Sequence, residues 1–160
     1  VGCGLCGIDS IEQALAPAAR VETDALRLQA ADLRRAPEML RGRQPLHDET
    51  HAAHAAGLWQ PGEGLITVRE DVGRHNALDK LAGTVARAGG NASGAAVVLT
   101  SRVSVEMVQK AAAMGAEAIL AASAATALAV RMADAAGLTL VAGLKGGPAA
   151  PLTHPHRMKG

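Results

Sequence analysis

From residue 65 onward, short apolar runs alternate with amphipathic stretches, and this alternation constrains the fold more than any other feature of the chain. The apolar runs predict strands at residues 65–68, 95–99, 118–122 and 138–142. The stretches between them predict helices at residues 73–88, 104–114 and 125–135, the second capped by Ser104 and the third ended by Gly137. Strands separated by helices form β-α units. We therefore predict an α/β fold with a mostly parallel sheet covered by helices.

The first 60 residues are less regular. Residues 10–16 open with a capping-box pattern and predict a short helix. Pro37 and Pro45 interrupt the stretch that follows, so we expect one helix after Pro37 and another over residues 50–58. The tail is rich in Gly and Pro and is expected to form a surface loop. These patterns divide the chain into a flexible segment at 1–9, an α/β domain at 10–146 and a tail at 147–160.

Composition excludes several classes of protein. The 160 residues suffice for one domain, and a net charge of +1 provides no overall basic field, so any anion site must be local. The apolar residues are small: there are 36 Ala and 18 Gly but one Trp, no Phe and no Tyr. This argues against an aromatic platform for nucleic acid, and no apolar run is long enough to cross a membrane. The start has neither Met nor signal peptide, so we expect the beginning of the chain to be interior to a longer, cytoplasmic protein.

Cys3 and Cys6 form a Cys-x-x-Cys pair flanked by glycines. Such a pair can hold half of a zinc site, cycle as a dithiol or carry sulfur as a persulfide, because the thiolate is the reactive form in each case. Two thiols without a role are a further alternative. The glycines favour a mobile segment over the rigid helix start of thioredoxin-type motifs. His47, His51 and His54 could complete a zinc site, although exposed histidines on a short helix are the simpler interpretation.

Unusual polar residues follow each of the four predicted strands. In open parallel sheets, ligands bind where the carboxyl ends of the strands meet. The residues in question are Asp71, Arg74 and His75 after the first strand, Arg102 after the second, Ser123 and Thr126 after the third, and Lys145, Gly146 and Gly147 after the last. Positive charge, glycines and helix N-termini together predict a phosphate site, with Asp71 or Glu70 reading ribose or guanine edges. Taken singly, these residues also fit solvated helix charges and caps.

Several motifs resemble those of the FdhD family, the formate dehydrogenase accessory sulfurtransferases. The longest and most specific is Arg-Glu-Asp-Val-Gly-Arg-His-Asn-Ala-Leu-Asp-Lys at 69–80. The resemblance includes Cys-Gly-Leu-Cys-Gly at 3–7 and Ser-Arg-Val-Ser-Val-Glu-Met-Val-Gln-Lys at 101–110. It extends through 123–130 and 137–140 to Thr-His-Pro at 153–155, and so covers essentially the whole chain.

The resemblance implies a mechanism. Members take persulfide sulfur from a cysteine desulfurase and pass it to the molybdenum of the bis(molybdopterin guanine dinucleotide) cofactor that formate dehydrogenase needs. On this basis Cys3 would carry the persulfide and Cys6 would be its partner. The cofactor would be a bound substrate, and the protein itself would hold no metal. The family also implies a three-layer α/β/α sandwich similar to cytidine deaminases, and a homodimer is left open.

The cofactor-binding residues implied by the resemblance combine the strand exits with the segment before the Thr-His-Pro motif. They are Asp71, Arg74, His75, Arg102, Ser123, Thr126, Leu144, Lys145, Gly146, Gly147, Pro148 and Ala149. Four residues depart from the family pattern, namely Ala52 and Ala53 in place of Gly-Gly, Ser101 in place of Gly and Ala125 in place of Pro. Loss of glycine could restrict the approach of backbone to phosphate.

Two other functions stay open at this point. One is a non-catalytic chaperone that shields the cofactor during its insertion into formate dehydrogenase. The other is a zinc-dependent enzyme using Cys3, Cys6 and a histidine. Deaminase chemistry is disfavoured, because His-Asp-Glu at 47–49 mimics the deaminase His-x-Glu but no Pro-Cys-x-x-Cys follows.

Overall fold

A computed structural model describes residues 16–147 and 149–159 of the chain. The helices are α1 (Ala30–Arg41), α2 (Pro45–Thr50), α3 (Arg74–Arg87), α4 (Val105–Ala113) and α5 (Ala127–Ala136). The strands are β1 (His54–Gln60), β2 (Gly64–Asp71), β3 (Ala96–Leu99), β4 (Ala118–Ala121) and β5 (Thr139–Val141). Two 3₁₀ turns follow, at Leu144–Gly146 and Pro155–Arg157.

The five strands form one sheet in the order β2-β1-β3-β4-β5. β1 is antiparallel to both of its neighbours, whereas β3, β4 and β5 are parallel. Because two reversals cancel, β2 runs in the same direction as β3, and the carboxyl ends of four strands meet at one edge, here called the carboxyl edge. The sequence prediction of an α/β fold whose four strand exits converge is confirmed.

The predicted elements after residue 64 are confirmed, with boundaries that differ by one to three residues. Ser104 is the residue before α4 and has an extended backbone, as a helix cap requires. Gly137 ends α5 with φ of 75°, a left-handed conformation that glycine adopts without strain. In this half of the chain, the apolar runs are therefore strands and the amphipathic stretches are helices, as predicted.

The expectation that Pro37 breaks a helix is wrong, since Pro37 lies inside α1. Leu33, Ala36 and Leu40 on one face of α1 are buried against the sheet. Proline at this position removes one backbone donor, but the burial of three apolar side chains holds the helix in place. Tertiary packing here outweighs the local signal.

The expected helix over residues 50–58 is also wrong. Thr50 ends α2, and His54–Gln60 is the strand β1. Residues 55–59 are buried because β1 lies between β2 and β3, so the segment lacks the alternation of a half-exposed strand. Its alanines, which favour helices, gave the wrong prediction. The turn after β1 contains Gly62 and Gly64, which have φ of 88° and 82° and allow the chain to return as β2.

Helices pack on both faces of the sheet. α1 contacts β1 to β4 around a core that includes Trp59, which is 1% exposed. α3, α4 and α5 contribute to the core on the other face. The small residues allow close approach: a Cβ on Gly57 of β1 would lie 2.7 Å from Leu65 Cδ1 and 3.1 Å from Leu40 Cδ1. The three-layer, cytidine-deaminase-like description stays a prediction, as does the division of the chain at residues 9 and 146.

The tail is not a simple surface loop, contrary to the expectation for residues 147–160. Thr153 and Arg157 are 5% and 3% exposed. Thr153 Oγ1 accepts from Leu140 N at 2.9 Å and donates to Leu138 O at 2.7 Å. Arg157 lies beside Glu117, which is fully buried. The Thr-His-Pro motif therefore begins a segment that is fastened to β5.

Both outer strands of the sheet have their backbone groups engaged. Along β2, carbonyl oxygens accept from basic side chains: Leu65 O from Arg43 at 2.6 Å, Val68 O from Arg69 at 2.7 Å and Glu70 O from Lys80 at 3.1 Å. At β5, Leu140 O accepts from Leu152 N at 2.7 Å. No helix within the described part of the chain is long and apolar enough to cross a membrane.

Candidate functional site

A cavity of about 1160 Å³ lies between α1 and the carboxyl edge of the sheet. Its walls come from α1, from α2 and the residues that follow it, and from the ends of the central strands with the 144–149 segment. The lining residues are Ala30, Leu33, Arg34, Pro37, Glu38, Arg41, Gln44, His47, His51, Ala52, Ala53, His54, Thr100, Ala122, Leu144, Lys145, Gly147 and Ala149. The cavity therefore lies where open α/β sheets bind their ligands.

The α1 wall presents charged side chains to the cavity. Arg34, Glu38 and Arg41 recur at intervals of four and three residues, so they share one face of the helix. Arg41 is paired with Asp48 of α2, with 2.7 Å between Nη1 and Oδ1. This pair joins the end of α1 to the histidine-bearing helix α2.

Three histidines line the cavity at the start of β1. Glu70 of β2 holds the first turn of α2, since its carboxylate accepts from Leu46 N at 2.9 Å and from His47 N at 3.0 Å. His47 Nδ1 lies 2.9 Å from Ala53 O, and the His47 ring is edge-on to the His51 ring with centroids 6.0 Å apart. His51 has φ of 53°, a left-handed conformation that is uncommon for residues other than glycine.

His54 is the first residue of β1 and is half-buried. Burial lowers the pKa of its ring below the ordinary value. The positive charge of Arg74, together with that of His47 when its ring is protonated, lowers the pKa of His54 further. The neutral ring is therefore favoured at neutral pH. Beside it, Thr100 Oγ1 accepts from Ala55 N at 2.9 Å and so ties the end of β3 to β1.

The other end of the cavity is formed by the turn after β5. Gly143 has φ of 79°, and its N–H donates to Ser123 O at 2.9 Å. Lys145 N donates to Ala122 O at 3.0 Å, which places the turn above the end of β4. The Lys145 side chain is exposed and makes no ion pair with another residue of the described ranges. Its ammonium is therefore available to an anionic ligand.

The charge balance of the cavity lining is positive. Arg34, Arg41 and Lys145 provide three cations against the carboxylate of Glu38 and that of Asp48, which is paired with Arg41. Because the whole chain carries only +1, this small excess of cations is local. The lining can therefore accept an anionic ligand.

Of the predicted cofactor-binding residues that the structure describes, Leu144, Lys145, Gly147 and Ala149 line the cavity. Gly146 lies in the same turn but is not part of the lining. Pro148 falls outside the described residues, as do Cys3 and Cys6. No group of three His, Cys, Asp or Glu side chains among residues 16–147 and 149–159 is arranged to hold a metal ion.

The remaining predicted residues lie at the carboxyl edge but outside the cavity lining. Ser123 Oγ donates to Thr100 O at 3.3 Å, and Thr126 Oγ1 accepts from Ala129 N at 3.1 Å to cap α5. Arg102 is exposed. Arg74 lies close enough to His54 to lower the pKa of that ring. The structure thus assigns several of these residues to local bonding, and their role toward a ligand stays a prediction.

His75 connects α3 to α4. Its Nε2 lies 3.3 Å from Glu106 Oε2 and 3.4 Å from Ser104 Oγ. Burial lowers the pKa of the His75 ring, and the negative charge of Glu106 opposes this effect. Lys110 completes the cluster, with Nζ 2.9 Å from both Glu106 and Asp79. The bonding partners of His75 are thus residues of α4 and its cap, and these contacts join α3 to α4.

Asp71 shapes the turn between β2 and α3. Its Oδ2 lies 2.6 Å from Lys80 Nζ, and its Oδ1 accepts from Gly73 N at 2.9 Å and from Asn76 Nδ2 at 3.3 Å. The Lys80 hydrogen bond, followed by that from Gly73, lowers the pKa of Asp71 to about 2. A carboxylate with these three partners has little capacity left for reading a base.

We expect a carboxyl carbon NMR titration to give an Asp71 midpoint of about 2. Because the folded pKa is depressed, the stabilisation from Asp71 is complete above the ordinary value of 3.8 and disappears as the pH falls through about 2. In Lys80→Ala the midpoint should rise toward 3.8, since the largest cause of the shift is removed. An unshifted midpoint in the parent chain would contradict the turn geometry.

Sequence reasoning missed the cations of α1. Because a break was predicted at Pro37, residues on either side of it were not recognised as one face of a helix. The α1 residues that line the cavity are Ala30, Leu33, Arg34, Pro37, Glu38 and Arg41. Their spacing of three and four residues was the signal that could have identified this wall. The histidines were considered as zinc ligands, as exposed residues of a short helix and, for His47, as part of a deaminase-like pattern. The structure places all three in the cavity lining.

Comparisons with known proteins identify the family to which the chain belongs. The family model described as FdhD/NarQ matches residues 1–159. The chain belongs to the FdhD/NarQ family. It is 53% identical over 146 residues to the "Sulfur carrier protein FdhD" of Agrobacterium fabrum, covering 91% of this chain and 54% of that protein. A relative of the same name from Cupriavidus necator is 47% identical over 159 residues, covering 99% of this chain and 54% of that protein.

A solved structure shares the fold of this FdhD/NarQ chain. It is a crystal structure described as that of a candidate formate dehydrogenase accessory protein from Desulfotalea psychrophila, with a TM-score of 0.80 and 30% sequence identity. The likeness covers 92% of this chain and 61% of that one. The chain spans about half the length of the curated relatives it matches. The resemblance drawn from the motifs is confirmed.

Proposed function

We propose that this chain is a sulfurtransferase that carries persulfide sulfur on Cys3, with Cys6 as the partner thiol. The donor would be a cysteine desulfurase, and the acceptor would be the bis(molybdopterin guanine dinucleotide) molybdenum cofactor that formate dehydrogenase needs. The cofactor is the substrate of the reaction rather than a resident group. Membership of the family and the names of the relatives, which are sulfur carriers, support this assignment.

The cavity is the observation that carries the proposal. Its volume of about 1160 Å³ exceeds what a small metabolite needs, and Arg34 and Lys145 contribute positive charge to its lining. The guanine dinucleotide ends of the cofactor carry several phosphate charges, which these two cations would bind. Leu144, Gly147 and Ala149 line the same cavity and include the segment that the family resemblance implicates.

Two of the departures from the family pattern fall on the cavity wall. Ala52 and Ala53 line it between α2 and β1, and Ala53 is buried. Ser101 is buried, with Oγ donating to Arg102 O at 3.1 Å, and Ala125 precedes α5. The cationic lining residues Arg34 and Lys145 are not among these four positions, and we propose that cofactor binding is retained. The proposal includes the three-layer, cytidine-deaminase-like fold description, a cytoplasmic location and formate dehydrogenase as the final recipient.

The persulfide role is tested by cyanolysis. After incubation with a cysteine desulfurase and cysteine, the parent chain should release sulfane sulfur as thiocyanate, and Cys3→Ala should release none, because the carrier thiolate is absent. Arg87→Ala, which changes an exposed residue remote from the thiols in sequence, controls for handling of a variant chain. An unchanged yield from Cys3→Ala would overturn the carrier role. If Cys3→Ala, Cys6→Ala still restored formate dehydrogenase activity, the chain would act as a binding chaperone instead.

A further inference from the structure

We propose that His47 selects the base of the bound nucleotide, its Nε2 accepting a hydrogen bond from an N–H group on the pairing edge of guanine. The inference rests on the proposed function, because it takes the nucleotide end of the cofactor as the ligand. It adds a specificity-determining residue that lies outside the predicted cofactor-binding set. The argument depends on the tautomer of His47, on its rigid support and on its place in the cavity.

The hydrogen bond of His47 with Ala53 fixes the tautomer of the neutral ring. Nδ1 lies 2.9 Å from the Ala53 carbonyl oxygen, and a carbonyl oxygen can only accept. Nδ1 therefore carries the proton, and Nε2 of the neutral imidazole carries a lone pair. His47 lines the cavity, and in this proposal the lone pair on Nε2 is the acceptor that the base contacts.

His47 is held from two sides. Glu70 Oε1 accepts from its backbone N–H at 3.0 Å, and Ala53 O accepts from its ring. Glu70 belongs to β2 and Ala53 precedes β1, so the support comes from neighbouring strands of the sheet rather than from α2 alone. A group fixed in this way loses little freedom on binding and can discriminate between ligands.

The position of His47 fits the base end of a nucleotide. Ala53, its partner, directly precedes β1, whereas Lys145 lies above the end of β4 through its hydrogen bond with Ala122 O. β3 separates β1 from β4, so the two ends of the cavity are two strand spacings apart, about 10 Å. A nucleotide carries its base and its phosphates at opposite ends. Phosphates at Lys145 direct the base toward His47.

Guanine presents two donors on its pairing edge, N1–H and the N2 amine. Inosine diphosphate lacks the N2 amine, and N1-methyl-GDP lacks the N1 proton, so each analogue removes one donor from GDP. An acceptor left without its partner in a water-poor site costs affinity. The donor that contacts His47 should therefore stop contributing to the binding affinity when His47 is replaced.

The test is a binding cycle at pH 8 with GDP and the two analogues, using the 160-residue chain and two variants. In His47→Asn the amide can still donate to Ala53 O, but nothing replaces Nε2. The parent should bind GDP about tenfold more tightly than one of the analogues, equivalent to about 1.4 kcal/mol. His47→Asn should bind that analogue and GDP equally. The matched control His156→Asn changes an exposed histidine that does not line the cavity, so it should keep the parent ratio.

The possible results separate the assignment of His47 from the proposal that the cavity binds the cofactor. If the parent binds GDP and the preference between GDP and both analogues is the same in His47→Asn, the His47 assignment is wrong and the cofactor site stands. If the parent binds no guanine nucleotide, both are wrong. Should His47→Asn fail to fold, imidazole nitrogen NMR of the parent decides. GDP should shift the unprotonated Nε2 resonance of His47, and an unchanged resonance would overturn the inference.

Discussion

Replacing Arg157 by methionine is expected to lower the free energy of unfolding by about 3–5 kcal/mol, because it leaves a buried carboxylate without its cation. Arg157 Nε lies 3.5 Å from Glu117 Oε2, and these residues are 3% and 0% exposed. Arg157 also donates to Gly137 O at 2.9 Å and to Thr23 O at 3.2 Å. One side chain thus connects the tail, the start of β5 and the segment before α1.

Glu117 would keep its hydrogen bonds but lose the cation beside it. Burial acts to raise its pKa, but hydrogen bonds from Thr23, from Leu26 N and from Gly94 N hold the pKa below the ordinary value. The carboxylate is therefore ionised in the folded protein at neutral pH. Its stabilising contribution is present above the ordinary value of 4.5 and is lost as the pH falls through the lower folded value.

Urea unfolding at pH 7 measures the effect. Arg41→Met is the matched control, because it removes a guanidinium that pairs with Asp48 at 2.7 Å at a site where both side chains are more than half exposed. That pair should contribute less than about 1 kcal/mol. A loss in Arg157→Met no larger than in Arg41→Met would contradict the buried role of Arg157.

The second large effect is expected at the cavity. Reversing two charges in Arg34→Glu, Lys145→Glu should lower the affinity for GDP by about a hundredfold or more, since each charge-assisted hydrogen bond contributes about 1.5–3 kcal/mol. Both residues are exposed members of the cavity lining, so their replacement leaves the core unchanged. Equilibrium titration at constant ionic strength measures the loss.

The control variant carries the same change in net charge outside the cavity. Arg35→Glu, Lys159→Glu alters two exposed residues that do not line it. Its affinity should stay within a few-fold of the parent value, because solvent and salt screen distant charges. Equal losses in the two double variants would show that the net charge of the chain, rather than the cavity, governs binding.

The sequence predicted the half of the fold in which short apolar runs alternate with amphipathic stretches. β2 to β5 and α3 to α5 follow that rule, and their order implied the convergence of four strand exits. β1 escaped prediction although β3 and β4 are buried just as completely, because its segment is rich in alanine, which favours helices, and has no β-branched residue. The order β2-β1-β3 depends on contacts between distant segments that local patterns do not encode.

The sequence predicted only part of the candidate site, because part of it depends on packing between distant segments. Strand direction alone placed Lys145 at the carboxyl edge, where the structure also has it. Arg34 and Arg41 belong to α1, which crosses to the sheet through packing of Leu33 and Leu40. That α1 covers the carboxyl edge depends on tertiary packing, which local sequence patterns do not encode. Polar residues such as Asp71 and Thr126 instead bond within their own turns, a use that their residue types allow equally well.

The engaged backbone of the outer strands limits how this chain can assemble. The carbonyl groups of Leu65, Val68 and Glu70 accept from basic side chains, and Leu140 of β5 accepts from the tail. A second copy would have to displace these donors before it could bond to the same carbonyl groups. At these positions the two borders of the sheet are already bonded from within the chain.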